Sequence, residues 1–315
     1  MNNESMTRLE TFVNLGFTRD PFLKVAFETG DGLRVKRILA MAVESRAMVT
    51  ICGERGLGKT VAIGAALDKI APAYTAKKKP LRLVTVNRGQ KEKITLADIE
   101  TALILDLSAG AESPKRGGET RSRQVRRIVG EASQEQTLVL VIEEAHRMHS
   151  TTLKSLKTLR EIKWLGESEL FTVVLVAQSD PMARAGVSEV RLRSDCVRMQ
   201  GLSGDEAAGY LRAVLGKWFD DAALAALPEL PQARNWLELQ EASVILLNRA
   251  LSAGRELVTA EDVRALLGPE QQPLRVPAGK RQAPAAPVNG NAALASVLAG
   301  KTGGPVALPT AIGER

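Results

Sequence analysis

The eight residues Gly53-Glu54-Arg55-Gly56-Leu57-Gly58-Lys59-Thr60 decide how the rest of the chain is read. They match the full spacing of a phosphate-binding loop and stand where that loop has to stand. The apolar run Met48 to Cys52 leads into them, and a helical pattern starts at Lys59. Glycines let backbone N–H groups turn inward around phosphate oxygens, a conformation that side chains obstruct. The helix N-terminus adds the positive end of a dipole. In this setting residues 53–60 are expected to bind the triphosphate of ATP, with Lys59 reaching the β- and γ-phosphates and the Thr60 hydroxyl ligating Mg²⁺.

Such a loop needs an acidic strand end beside it. Leu138-Val139-Leu140-Val141-Ile142 runs straight into Glu143-Glu144. Two adjacent carboxylates at the end of an apolar strand repel each other and resist desolvation, so packing does not explain them. A metal ion and a water do. Glu143 is expected to hold Mg²⁺, directly or through water, and Glu144 to orient and polarise the attacking water. Aspartate is usual at the first position, and Glu143 is one methylene longer, which bears on the hydrolysis rate.

Outward from these motifs, short apolar runs alternate with amphipathic segments. Strands are expected at Met48 to Cys52, Leu81 to Val86, Thr137 to Ile142, Phe171 to Ala177 and Asp195 to Met199. Three of them are nearly continuous apolar runs, as suits strands buried on both faces of a parallel sheet. Helices are expected at about 32–46, 60–70, 95–107, 119–132 and 151–163. The alternation predicts an α/β fold with a doubly wound parallel sheet. After about residue 203 strand signals vanish. Helical segments at about 204–216, 220–227, 236–252 and 260–267 predict a small all-helical C-terminal lid, its last helix capped by Thr259 with Glu261 and Asp262. The organisation is thus an N-terminal docking segment (1–30, with Phe12, Phe17, Pro21 and Phe22), a P-loop core (31–203), a helical lid domain (204–267) and a Pro/Ala/Gly-rich tail (268–315) expected to be largely disordered.

Composition narrows the partners. The chain has 315 residues, 44% apolar and 25% charged, an ordinary soluble balance. Aromatics are 3%, too few for base-stacking platforms to dominate. Cys52 and Cys196 are the only cysteines, and Cys52 lies in an apolar run, as a buried free thiol does. His146 and His149 are the only histidines and have no cysteine near them, a poor metal site. No window of about 18 uninterrupted apolar residues occurs, so no membrane span is expected. The first 30 residues hold no apolar stretch of signal-peptide type, and a cytoplasmic protein is expected.

The net charge is +7, and its distribution is uneven. Between Lys77 and Arg127 stand 13 basic and six acidic residues, a net of +7 in one sixth of the chain. Lys77, Lys78 and Lys79 precede the second strand. Arg88, Lys91 and Lys93 follow it, Lys115 and Arg116 sit in a Gly-rich loop, and Arg121 and Arg123 open the next helix. On that helix Val125, Ile128, Val129 and Ala132 form an apolar stripe, with Arg123, Arg126 and Arg127 largely off it. Clustered cations on loops and one helix face fit sequence-independent, salt-sensitive contact with the phosphate backbone of double-stranded DNA, though solvated surface lysines have the same pattern. No base-reading module is visible.

The strand end Val141-Ile142-Glu143-Glu144-Ala145-His146 resembles the "IDEAH" signature of AAA+ ATPases. More narrowly, the chain resembles the group that holds the B protein of Mu-like transposing phages and the transposon target-selector ATPases. Leu15-Gly16-Phe17 and Asp20-Pro21-Phe22 resemble the stretch ahead of their P-loop. Val174-Leu175-Val176-Ala177-Gln178 resembles their fourth core strand with a polar sensor at its tip. Val190-Arg191-Leu192-Arg193, then Val197-Arg198-Met199, resembles the arginine-bearing stretch before the lid. The resemblance implies Gln178 as the sensor of the γ-phosphate and Arg191 or Arg193 as an arginine finger acting in the neighbouring subunit's site. It also implies a homo-oligomer, a ring or a helical filament, assembled on DNA with ATP bound and acting on a transposase. The usual Gly-x-x-Arg sensor of the lid is not evident; Arg234 is the nearest candidate and is poorly spaced. Two alternatives stand beside this function: an ATPase of secretion or cell-envelope assembly, and an ATP-gated adaptor or scaffold that hydrolyses little. A helicase is disfavoured because no second motor domain follows.

Overall fold

The apolar runs form one parallel sheet. Its strands are β1 (Met48–Cys52), β2 (Leu81–Val86), β3 (Thr137–Ile142), β4 (Phe171–Ala177) and β5 (Ser194–Arg198), in the order β2-β3-β4-β1-β5. The computed structural model describes residues 6–23, 27–86, 93–184, 186–187 and 194–267. All of these lie within the compact unit Met1–Gln272; the tail from 268 lies outside the described residues.

Register explains the sequence pattern. The three inner strands β1, β3 and β4 are buried almost throughout, which is why their sequences are apolar without alternation. Their side chains still divide between two faces. Leu138, Leu140 and Ile142 join Phe171, Val173 and Leu175 in one core, against α4 (Leu96–Leu107), α5 (Gly118–Glu135) and α6 (Ser150–Arg160). Val139 and Val141 join Val49, Ile51, Val174 and Val176 in the other, against α2 (Gly30–Glu44) and α3 (Lys59–Ala76). Each such large apolar side chain contributes about 1.5–3 kcal/mol by leaving water. The edge strands β2 and β5 are partly exposed, as their mixed sequences require.

Several elements depart from expectation: α5 runs three residues further, to Glu135, and α6 stops three residues sooner, at Arg160. β5 starts and ends one residue earlier, and the Met199 N–H still donates to the Cys52 carbonyl at 2.8 Å. Helix α3 runs to Ala76 through Pro72 instead of stopping near residue 70. Proline removes one helical hydrogen bond. The last turn is anchored instead by Tyr74, whose hydroxyl donates to the Glu44 carboxylate at 2.8 Å; burial first, then that carboxylate, pushes the phenol up to about 12. Cys52 is buried with a free thiol, and its Sγ lies 3.4 Å from the free thiol of Cys196 on β5.

A third core belongs to the C-terminal helices α7 (Gly204–Leu215), α8 (Asp221–Ala226), α9 (Trp236–Ser252) and α10 (Ala260–Leu266). Their starts are written in the sequence. Ser203 and Glu206 form a capping box for α7, and the Asp262 carboxylate accepts the Thr259 N–H and hydroxyl at 2.9 and 3.0 Å for α10. Helix α1 (Arg8–Asn14) docks here and not on the sheet: Phe12 and Phe22 are buried among the lid residues, and the Thr11 hydroxyl donates to Asn248 at 2.5 Å. Among the described residues no helix is long and apolar enough to cross a membrane.

The packing of α5 makes a sharp prediction. A Cβ built on Gly130 would lie 2.2 Å from the Trp164 ring. In an open helix position Gly→Ala would add about 1 kcal/mol of stability through propensity. At Gly130 the indole must move, and overpacking of this kind costs about 1–3 kcal/mol, so Gly130→Ala is expected to lower the urea midpoint. A raised midpoint would show that Trp164 is not seated there.

Candidate nucleotide site

Parallel strands deliver their C-terminal ends to one edge of the sheet, the place where α/β folds bind ligands. At that edge the loop after β1 and the acid pair after β3 flank the end of β4, which carries Gln178. Sequence neighbours of three separate strands thereby face a common cavity of about 1170 Å³, lined by Gly58, Thr60, Glu143, Glu144 and Gln178 from this edge and by Trp236 from the lid.

Two glycines of the loop are required by shape. Gly56 has φ +87° and would place a Cβ 2.2 Å from the Asn235 side chain. Gly58 has φ +78° and would meet the Trp236 indole at 3.2 Å. Gly58 is also the N-cap of α3 and offers no capping side chain, so the first-turn N–H groups of α3 remain free for an anion. Glu54, Arg55 and Leu57 complete the turn, with Leu57 buried beneath it.

The Lys59 ammonium donates to the carbonyls of Gly53 and Glu54, both at 2.7 Å. Burial pulls its pKa down, while the Glu144 and Glu143 carboxylates push it back up. The Thr60 hydroxyl donates to Glu143 at 3.2 Å. Burial raises the Glu143 carboxyl; the Thr60 bond lowers it, Glu144 raises it further, and Lys59 lowers it. A partly buried carboxylate held against a hydroxyl, both hard oxygen donors, fits Mg²⁺, which takes one or two protein oxygens and completes its shell from phosphates and water. The longer side chain of Glu143 reaches the Thr60 hydroxyl.

Glu144 sits in the left-handed region at φ +53°, which is unusual for a side chain of this length. The sharp turn separates the two carboxylates. Its carboxylate lies 3.4 Å from His146 Nε2 and 3.7 Å from Arg147 Nε. The Gln178 N–H donates to His146 Nδ1 at 3.4 Å, which assigns the ring proton to Nε2, facing Glu144. His146 thus ties the end of β4 to the second acid. Sequence reasoning missed this role, although a histidine two residues past the acid pair was the available signal.

The few aromatic residues are concentrated at this site. Seven of the eleven aromatic residues form one connected cluster, and Phe22, Phe27, Tyr210 and Trp236 from it line the cavity, with the Tyr210 and Trp236 rings edge-on at 4.7 Å. They come from the N-terminal segment and the lid, so no local pattern could reveal the cluster.

The arginine-finger candidates Arg191 and Arg193 lie outside the described residues, as do Arg88 and Lys91. Arg234 is exposed, and its carbonyl accepts the Leu202 N–H at 2.9 Å. Lys77, Lys78 and Lys79 precede β2, whereas the phosphate loop follows the parallel β1; the lysines lie at the other end of the sheet. Lys77 pairs with Glu44 at 3.1 Å, Arg123 with Glu119 at 2.6 Å, and Arg121 with Glu100 at 2.7 Å. The last pair is structural, since Glu100 is only 3% exposed and needs its charge compensated. Lys78, Lys79, Lys93, Lys115 and Arg116 make no ion pair among the described residues.

A family model described as an AAA domain matches residues 42–182. No curated protein matches the chain. Among solved structures it is similar to the ORC2 protein of Aeropyrum pernix in its ADPNP-ADP complexes, at 14% identity and a TM-score of 0.59, over 80% of this chain and 71% of that one. It is similar to Drosophila ORC bound to DNA at 13% identity and a TM-score of 0.59, over 85% and 67%. It is also similar to Cdc6p from Pyrobaculum aerophilum, at 17% identity and a TM-score of 0.54, over 78% and 69%. At these identities the likeness is one of fold, and the fold is the P-loop AAA+ fold.

Proposed function

We propose that this chain is an AAA+ ATPase that binds ATP and Mg²⁺ at residues 53–60, assembles with copies of itself on duplex DNA, and delivers that DNA to a transposase. The observation that carries the enzymatic part is the convergence of the glycine loop, Lys59, Thr60 and the two glutamates on one cavity. Lys59 would turn from the loop carbonyls to the triphosphate. Thr60 and Glu143 would hold Mg²⁺, which neutralises charge on the β- and γ-phosphates. Glu144 would take a proton from the attacking water while Gln178 contacts the γ-phosphate, and Arg191 or Arg193 of a neighbouring copy would stabilise the leaving charge.

The DNA-binding part is supported by the excess of cations between Lys77 and Arg127 and by a fold shared with a protein described as bound to DNA. Lys93, Lys115 and Arg116, with Arg88 and Lys91, are the residues proposed to meet phosphate. The transposase partner rests on the resemblance of residues 15–22, 141–146, 174–178 and 190–199 alone.

The test is the anisotropy of labelled random-sequence duplex. Binding should require ATP, should weaken at least tenfold between about 50 and 200 mM salt, and should be equal for unrelated sequences. Replacing Lys93, Lys115 and Arg116 with alanine should reduce the log–log salt slope by about 0.9 for each phosphate no longer neutralised. Equal affinity with and without ATP would remove the ATP-dependent DNA function.

A further inference from the structure

A loop whose N–H groups converge on an anion turns its carbonyls outward, and outward carbonyls under a neighbouring domain need donors. Four consecutive carbonyls of this loop have them. Gly53 and Glu54 receive the Lys59 ammonium, both at 2.7 Å. Arg55 receives the side-chain N–H of Asn235 at 2.7 Å, and Gly56 receives the backbone N–H of Trp236 at 3.2 Å. The first two donors come from the residue that a triphosphate would draw away. The other two come from the lid.

We propose that Asn235 is a positioning residue for the phosphate loop: its carboxamide links the first turn of α9 to the Arg55 carbonyl and keeps the loop open toward phosphate once Lys59 has left it. The proposal rests on the nucleotide-binding function above.

Asn235 is suited to this by having two different ends. Its Oδ1 accepts the N–H groups of Leu237 at 3.0 Å and Glu238 at 3.4 Å, capping α9. Its Nδ2 is the donor to Arg55. Helix N–H groups need an acceptor and the loop carbonyl needs a donor, so only one orientation of the amide satisfies both. The side chain is 8% exposed, which leaves little water to replace the bond. Gly56 leaves the space, since any Cβ there would meet the Asn235 amide. The lid is also fastened close by. The Leu202 N–H donates to the Arg234 carbonyl at 2.9 Å, and the Glu206 carboxylate of α7 accepts the Gly30 N–H at 2.6 Å. Lid position and loop shape are therefore one mechanical unit. A lid that swung away would leave the Arg55 and Gly56 carbonyls without donors.

Serine and aspartate both cap helices well, yet neither supplies the amide donor. In the full-length chain, Asn235→Ser and Asn235→Asp are therefore expected to keep the thermal unfolding temperature of the nucleotide-free protein close to wild type. The same variants should raise the KM for ATP about tenfold, with a smaller change in kcat, because the Arg55 carbonyl then has no lid donor to hold the loop when Lys59 turns from Gly53 and Glu54 to phosphate. Asn235→Ser carries no charge, so its loss of affinity cannot come from repulsion of ATP. Wild-type KM in either folded variant would overturn the proposal, and so would unfolding of both, which would make Asn235 a helix cap alone. Failure of the wild-type chain to take up ATP would instead refute the nucleotide-binding function.

Discussion

Glu144→Gln is expected to reduce ATP turnover by about 10²- to 10⁴-fold, the usual contribution of a positioned general base, while nucleotide binding is retained. The substitution keeps the size of the side chain at this left-handed position and removes the capacity to accept a proton. It also removes one negative charge from the cavity, so affinity for ATP should hold or increase. The effect should survive in single-turnover experiments, which separate chemistry from product release. The neighbouring His146 makes the prediction specific. Its Nε2 faces the Glu144 carboxylate, and glutamine can still accept that hydrogen bond through its oxygen. A drop in rate would thus report the chemistry of the carboxylate rather than collapse of the turn. Unchanged turnover would transfer the role to Glu143 or to another group.

Lys59→Ala should have the larger effect on binding, a loss of about 10²-fold or more in ATP affinity, measured by titration with a fluorescent nucleotide. Hydrogen bonds to charged groups contribute about 1.5–3 kcal/mol each, and Lys59 would make at least one to the β- or γ-phosphate. A second loss adds to it: the Gly53 and Glu54 carbonyls, which Lys59 holds at 2.7 Å, would have no donor before nucleotide arrives. The phosphate loop would then be less ordered as well as less positive. Burial already disfavours the charged form of Lys59 in the absence of phosphate, so its removal should cost the nucleotide-free protein little global stability. Retained affinity in Lys59→Ala would mean that the glycine loop does not bind triphosphate.

Most of the fold was legible because its signals are local. A five-residue apolar run such as Met48 to Cys52 suits burial on both faces, and the glycines at fixed offsets after it suit a tight turn of positive φ. Caps such as Ser203 with Glu206 are read from residues three apart. The continuation of α3 through Pro72 was not legible, because a proline is tolerated only when distant groups, here Tyr74 with Glu44, hold the turn. The charge cluster was legible as a composition; that Lys77 and Arg121 are taken up by Glu44 and Glu100 was not, because those partners lie 33 and 21 positions away in the chain.

The chain's sequence by itself determined the α/β class, the strand positions, the phosphate loop and the acid pair. Each depends on residues close together whose periodicity and backbone freedom leave few conformations. Tertiary structure alone decided that the N-terminal phenylalanines pack into the lid, that Arg121 serves a buried glutamate, and that Asn235 holds the Arg55 carbonyl. Those pairings join residues as much as 180 positions or more apart. Each requires a buried polar or aromatic group to find its partner, and which partner is within reach is set by how the helices pack, not by spacing along the chain.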